Sequence, residues 1–302
     1  MNTASQTGPI AFIGLGHMGS PMARNLIKAA PDGLRVFDAD TAACKAFAAE
    51  PGATVCSSAA EAASGSAAVV MSLPNGKIVA SVLSEGGVLD RLEPGGLVID
   101  MSSSAPGTYA PFLGTIADRQ LHIVDAPVSG GVARAETGAL SIMAGGTDEA
   151  VEQAMPLLQA MGTTIFHTGP LGSGQATKAL NNLLSAGTLA LTVETLLLGR
   201  KFGLDLDMLT DVLNVSTGRN NSTDKKIHQF VLSRSFASGF ALALMQKDIR
   251  TALDMVEGSD EIAPLGASVA ALWTEAAEKL EASADHTQIA ELIEQHAGLR
   301  LD

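Results

Sequence analysis

From its N-terminus the chain alternates between short apolar runs and Ala-rich segments with helical spacing. The runs are "PIAFIGLG" from Pro9, "LRVFDAD" from Leu34, "AAVVMSLP" from Ala67, "GLVIDMS" from Gly96, "LHIVDAPV" from Leu121, "LSIMAGG" from Leu140 and "TTIFHTG" from Thr163. They are continuous rather than alternating, which predicts strands buried on both faces. Their separation by helical segments predicts an α/β layer with a mostly parallel sheet. Beyond "GPLGSG", residues 169–174, strand signals stop and helical spacing takes over. A proline-free segment from about residue 175 to 202 predicts one helix roughly 40 Å long at about 1.5 Å per residue. Shorter helices are predicted near residues 206–216, 221–232, 242–257, 263–280 and 288–297. The pattern divides the chain into a first domain at 1–171 and an all-helical domain at 172–302, joined by the long helix.

Composition narrows the class. Aromatics make up only 4% of the 302 residues, so the core is expected from Ala, Leu, Val and Met. A net charge of −13 argues against nucleic acid as a partner, which favours a basic excess. Two cysteines, Cys44 and Cys56, form neither a CxxC pair nor a disulfide framework, which points to a reducing compartment. The first basic residue, Arg24, follows the first apolar stretch, unlike a secretory signal. The apolar run at 183–199 is preceded by Asn181 and Asn182 and interrupted by Glu194, so it is expected to fall short of a membrane span. A soluble cytoplasmic protein is the expectation. The six histidines show no metal-ligand spacing and no GxSxG elbow occurs, so neither metal nor serine-nucleophile catalysis is expected.

"GLGHMG", Gly14 to Gly19, follows a predicted strand and opens a predicted helix, "SPMARNLIKAA". In a dinucleotide site the first glycine makes the tight turn, the second admits the pyrophosphate and the third lets helix pack on strand. Free N–H groups at the helix start then meet the anion. The cofactor positions of this turn are Gly14, Gly16, His17, Met18 and Gly19, although Met18 and Met22 also read as helix packing. Asp38 ends the next strand, 19 residues after Gly19. There it accepts ribose hydroxyls and repels a 2′-phosphate, and Ala39 and Asp40 supply no arginine clamp, so NAD is favoured over NADP. A glycine-rich turn with Asp38 as a helix cap is the plainer alternative. "SLPN" from Ser72 and "DMSSSAP" from Asp100 end further strands at the same crevice, or are ordinary turns.

"DAPVSGG", Asp125 to Gly131, offers a serine hydroxyl and exposed backbone N–H groups able to hold a carboxylate. In "GQATKALNN" Lys178 and Asn182 stand four residues apart on one helical face, with Asn181 beside them. An ammonium and a carboxamide so placed can grip a hydroxyl or carbonyl. The same spacing also fits a snorkelling lysine near a helix start.

Together "FIGLGHMGSPMARNL", "DMSSSAP", "DAPVSGG…ARAETGALSIMAGG", "GSGQATKALNN" and "LMQKDI" resemble the β-hydroxyacid dehydrogenase family, which includes 3-hydroxyisobutyrate dehydrogenase and tartronate semialdehyde reductase. These motifs span residues 10–250, about four-fifths of the chain. The resemblance implies a Rossmann-type doubly wound domain, then an all-α domain, with catalysis in the cleft between them. It implies Lys178 as catalytic lysine, Asn182 as substrate positioner, and Ser129, Gly130 and Gly131 as the carboxylate loop. It further implies cofactor contacts at Leu73, Pro74 and Ser103, and Lys247 near the nicotinamide. Arg219 in "VSTGRNNST", and Arg134 beyond the serine loop, are candidates for the distal part of a substrate. The expected activity is NAD-dependent oxidation of a small 3-hydroxy acid. The alternatives are reduction of tartronate semialdehyde or another polar aldehyde acid, or a non-enzymatic cofactor-bound scaffold. Apolar helices in the second half predict a homo-oligomer, dimer or tetramer.

Overall fold

The computed structural model describes residues 8–302. Its internal contacts separate two compact units, Met1–Lys178 and Ala179–Asp302.

The first unit is built on a nine-stranded sheet: β1 (Ile10–Ile13), β2 (Leu34–Phe37), β3 (Ala53–Val55), β4 (Ala68–Met71), β5 (Leu97–Asp100), β6 (His122–Asp125), β7 (Val128–Ser129), β8 (Leu140–Gly145) and β9 (Gly162–Gly169). The first six pair in parallel in the order β3-β2-β1-β4-β5-β6. Strand order reverses between β1 and β4, and that switch point opens a crevice at the carboxyl ends. Beyond β6 the pairing becomes mixed. β8 runs antiparallel to both β6 and β7 and pairs in parallel with β9.

Alternate residues of the central strands feed two separate cores. Phe12, Val70, Ile99 and Val124 face Met22 and Leu26 on one side. Ala11, Ile13, Val69, Met71, Val98 and Ile123 face Val79, Leu83, Leu92 and Tyr109 on the other. Helices cover both faces, so every position of β1, β4 and β5 is buried. This is why their sequences are uniformly apolar.

All seven predicted strands are present, and two more appear. β3 and β7 have three and two residues, too short for a hydrophobic period to register. Three predicted strands are not buried on both faces. β2, and β8 over its first four residues, alternate buried and half-buried positions. β9 pairs only with β8, and Phe166 on it is 58% exposed.

No strand lies in the second unit, where a single bridge joins Ala241 and Asp285. The long helix spans Ser173–Phe202 and runs across the division between the units. With 30 residues and a mean hydropathy of 1.3 over its most apolar window, it is long and apolar enough to cross a membrane, contrary to the expectation that the run falls short. Half of that window is buried, however, and Ala186, Leu189, Ala190, Val193, Leu196 and Leu197 belong to the core of the helical unit. Trp273, fully buried, stacks on His286 within that core. The segment predicted as one helix over 221–232 is two elements: an α-helix at Asn221–Lys225, capped by Asn220, and a π-helical turn at Ile227–Leu232.

Candidate active site

The glycine turn follows directly from β1. Gly14 has φ of 100°, and a Cβ there would strike the Ser72 carbonyl at the end of β4. A Cβ on Gly19 would collide with the Gly14 carbonyl, so the helix Gly19–Ile27 packs onto the turn only because that atom is missing. A Cβ on Gly16 would meet nothing within 4 Å. Gly14 and Gly19 are therefore internal requirements, whereas Gly16 faces open space, as backbone approach by a pyrophosphate requires. His17 is exposed at the tip of the turn, while Met18 packs on the core and Met22 is buried within it.

Asp38 sits immediately after β2. Its Oδ2 accepts the Leu15 N–H at 2.5 Å and its Oδ1 the Asp40 N–H at 2.7 Å. The carboxylate is thus fixed at the mouth of the turn, and each oxygen keeps a lone pair for another donor. Asp40 caps the helix Thr41–Phe47 through the Ala42 N–H. These residues fit a dinucleotide. Leu73 and Pro74 follow β4, and the Leu73 N–H donates to Ser102 Oγ at 2.8 Å, joining this strand end to the loop that carries Ser103.

Beneath these loops lies a buried polar network that the sequence did not reveal. Asp100 and Asp125 end β5 and β6 in register as neighbours, and both are fully buried. Asp100 accepts from the Tyr109 hydroxyl at 2.7 Å and the Ser102 N–H at 2.9 Å. Asp125 accepts the N–H groups of Gly172 and Gln175, each at 2.7 Å, and so caps the start of the long helix. The Gln175 side chain donates to the Ser102 carbonyl and accepts the Ser104 N–H, both at 2.9 Å. Burial raises the Asp125 carboxyl to about 6, against the pull of the Gly172 and Gln175 N–H bonds. Burial also raises Asp100. Lys178, half-buried, follows Gln175 by three residues on this anchored helix.

β6 leads past Asp125 to the carboxylate-loop candidates. Ser129 lies in β7, half-buried, and Gly130 and Gly131 follow with φ of 134° and 67°, values that disfavour any side chain. The exposed Arg134 lays its aliphatic stem over Gly130. Asn25 Nδ2 donates to the Ala135 carbonyl at 2.7 Å, tying this loop's short helix to the dinucleotide helix. Ser129–Gly131, Lys178 and the glycine turn thus all belong to the first unit.

In the second unit, Asn182 is buried and its Nδ2 donates to Asp248 Oδ2 at 2.6 Å, while its Oδ1 accepts from Asn181. The other oxygen of Asp248 meets Lys247 Nζ at 3.2 Å. Asp248, buried and unremarked in the sequence, orients both candidate residues. Arg219 is 63% exposed and ion-paired with Asp224 at 3.3 Å, and the Asn220 side chain caps a helix. A groove of about 560 Å³ in the first unit, lined by Leu113, Ile116, His122 and His167 among others, contains none of these residues.

A family model described as the NAD binding domain of 6-phosphogluconate dehydrogenase matches residues 9–169, and one described as NAD-binding of NADP-dependent 3-hydroxyisobutyrate dehydrogenase matches 172–293. Fold and site define an NAD(P)-dependent oxidoreductase acting on a CH–OH group. The chain is 40% identical to 2-(hydroxymethyl)glutarate dehydrogenase of Eubacterium barkeri, covering 81% of each chain. It is 39% identical to the NAD-dependent L-serine dehydrogenase of Pseudomonas aeruginosa, over 87% of this chain and 90% of that one. The structure of Mycobacterium tuberculosis 3-hydroxyisobutyrate dehydrogenase with L-serine superposes with a TM-score of 0.86 at 32% identity, over 95% of this chain and 99% of that one. The chain belongs to the β-hydroxyacid dehydrogenase family.

Proposed function

We propose that the protein oxidises small 3-hydroxy acids with NAD, reversibly, using Lys178 as the proton-transfer group. The observation that best supports this is the placement of Lys178 in the first turns of a helix pinned by Asp125, on the strand end that leads into Ser129–Gly131. The substrates in the relatives' names share one chemical core. L-serine, 3-hydroxyisobutyrate and 2-(hydroxymethyl)glutarate each carry a hydroxymethyl group on the carbon next to a carboxylate. Ser129 and the backbone of Gly130 and Gly131 hold that carboxylate. Asn182, its amide fixed by Asp248, orients the hydroxyl. A nicotinamide cofactor held at the glycine turn and Asp38 would supply the hydride acceptor for the hydroxyl-bearing carbon. The Lys178 amine takes the hydroxyl proton in that direction and returns it to the carbonyl oxygen in reduction. A polar semialdehyde acid is the alternative reductive substrate for the same residues.

NAD rather than NADP is favoured by Asp38 and Asp40, two carboxylates at the ribose end of the turn. A homo-oligomer formed through the second unit is supported by Leu184, Leu191 and Leu198, which recur every seven residues on the long helix and are 64–72% exposed. Light scattering on the purified protein tests that reading. Free, buried Cys44 and Cys56 fit a reducing cytoplasm.

The decisive experiment is a panel of L-serine, 3-hydroxyisobutyrate, glycerate and 2-(hydroxymethyl)glutarate with each cofactor, comparing wild type with Lys178→Ala. The variant is expected to lose about 10²- to 10⁴-fold in kcat while still binding NAD. Turnover near the wild-type value would remove Lys178 from the chemistry.

A further inference from the structure

A second lysine in the helical unit is poorly accounted for by the contacts around it. Lys226 stands at the junction between the α-helix Asn221–Lys225 and the π-helical turn Ile227–Leu232. Its carbonyl accepts both the Phe230 N–H at 2.9 Å and the Val231 N–H at 3.3 Å, the double bonding of a helix that widens by one residue. Such π-turns are frequent at functional sites because they redirect side chains. Here the side chain runs inward to the long helix, where Nζ donates to Ser185 Oγ at 3.2 Å.

An ammonium offers three N–H donors, and this bond occupies one. Lys226 enters no ion pair among the described residues, unlike Lys225 beside it, which meets Asp224 at 3.4 Å. Asp285 attracts it at longer range. That carboxylate is already taken up by the Ser238 hydroxyl, the N–H groups of Gly239, Phe240 and Thr287, and the Thr287 hydroxyl. Burial lowers the Lys226 amine to about 8, so it remains largely charged at neutral pH. Lys226 is half-buried, and a cation partly withdrawn from water with one neutral partner is better placed when an anion joins it.

Ser185 also fixes where such an anion would lie. It follows Asn182 by three residues on the same helix, which places the two side chains on one face about one turn apart. We propose that Lys226, presented with Ser185, is a specificity-determining residue that receives a second carboxylate on the substrate. This subsite lies one helical turn beyond the asparagine that positions the hydroxyl. The inference rests on the reading of Asn182 as substrate positioner. It selects, among 3-hydroxy acids, those with a second acid group a few bonds from the hydroxymethyl carbon. In 2-(hydroxymethyl)glutarate a two-carbon arm supplies that spacing. L-serine and 3-hydroxyisobutyrate have no second acid group.

The test compares glutarate with butyrate, which lacks the distal carboxylate, by calorimetric titration into the NADH-loaded protein. The wild type is expected to bind glutarate at least about ten-fold more tightly. Lys226→Met is expected to abolish that preference and Lys226→Arg to retain most of it. With 2-(hydroxymethyl)glutarate as substrate, Lys226→Met raises KM about ten-fold or more, while kcat/KM for 3-hydroxyisobutyrate stays within about three-fold. If Lys226→Met fails to fold, Lys226→Gln takes its place. Equal binding of the two acids by the wild type, or a preference that survives loss of the amine, would overturn the subsite. So would an equal fall in kcat/KM for both hydroxy acids, which marks a purely structural lysine. A wild type that binds glutarate selectively but oxidises no hydroxy acid would refute the proposed activity and leave the subsite standing.

Discussion

Asp125 and Gln175 are joined by a 2.7 Å hydrogen bond from the Gln175 backbone N–H to Asp125 Oδ2, while Asp125 Oδ1 accepts the Gly172 N–H at the same distance. One carboxylate therefore spans the first turn of the helix that carries Lys178. The Gln175 side chain, in turn, fastens the loop around Ser103. Lys178, the proposed proton-transfer group, and the loop proposed to contact the cofactor share a single anchor, which gives the anchor's protonation state a measurable consequence.

The folded-state value of Asp125, about 6, lies above its ordinary 3.8. Between those pH values the folded protein keeps a proton that the unfolded chain has released. Stability from this group is thus full below about 3.8 and declines as pH rises through about 6. Asp100 is shifted in the same direction. Asp125→Asn should flatten this part of the pH dependence, by on the order of 3 kcal/mol across the window. Urea unfolding of both proteins from pH 4 to 7.5 measures the difference, and parallel curves would contradict it.

Glycine substitutions should separate folding from binding. Gly19→Ala forces a Cβ into the Gly14 carbonyl and is expected to cost several kcal/mol of stability. Gly16→Ala meets open space and should leave the melting temperature nearly unchanged while weakening NAD binding about ten-fold or more. Thermal melts alongside cofactor titrations decide whether the two effects divide this way.

The wild type should prefer NAD to NADP by about ten-fold or more in kcat/KM. Asp38→Ser should narrow that gap by lowering the NAD value and raising the NADP value. Because Asp38 also holds the Leu15 N–H, some loss with NAD is expected even without a change in preference. A variant whose cofactor ratio matches the wild type would show that Asp38 serves only the turn.

Asp248→Asn leaves the Asn182 amide facing another amide and removes one charged partner of Lys247. A roughly ten- to hundred-fold fall in kcat/KM is expected, with NAD binding retained, because small displacements of a positioning group are costly in rate. Steady-state kinetics with a cofactor-binding control test this. A loss confined to NAD affinity would place Asp248 with the cofactor instead.

What the sequence disclosed follows from how strongly each feature repeats. Strands buried on two faces leave unbroken apolar runs, so β1, β4, β5 and β6 were legible, as was the long helix. The glycines of the first turn were legible because sterics leave no other residue possible at Gly14 and Gly19. The strands β3 and β7 were too short to show a period. Asp100 and Asp125 stood inside "DMSSSAP" and "DAPVSGG" and looked like turn residues. Their partners, Tyr109 and Gln175, lie 9 and 50 residues away. Asp248 was hidden beside Lys247, and its bond to Asn182 crosses 66 residues. Local patterning reports which face is buried, but not which distant polar groups meet there.

The π-helical turn after Lys226 holds one residue more than an α-helical turn would. Deleting a single residue within Ile227–Leu232 would let the turn close with regular i→i+4 bonds and so change how Lys226 is presented. On the proposed reading of Lys226, substrate choice is open to change by loss of one residue as well as by substitution, a route invisible to comparisons that score only exchanged side chains.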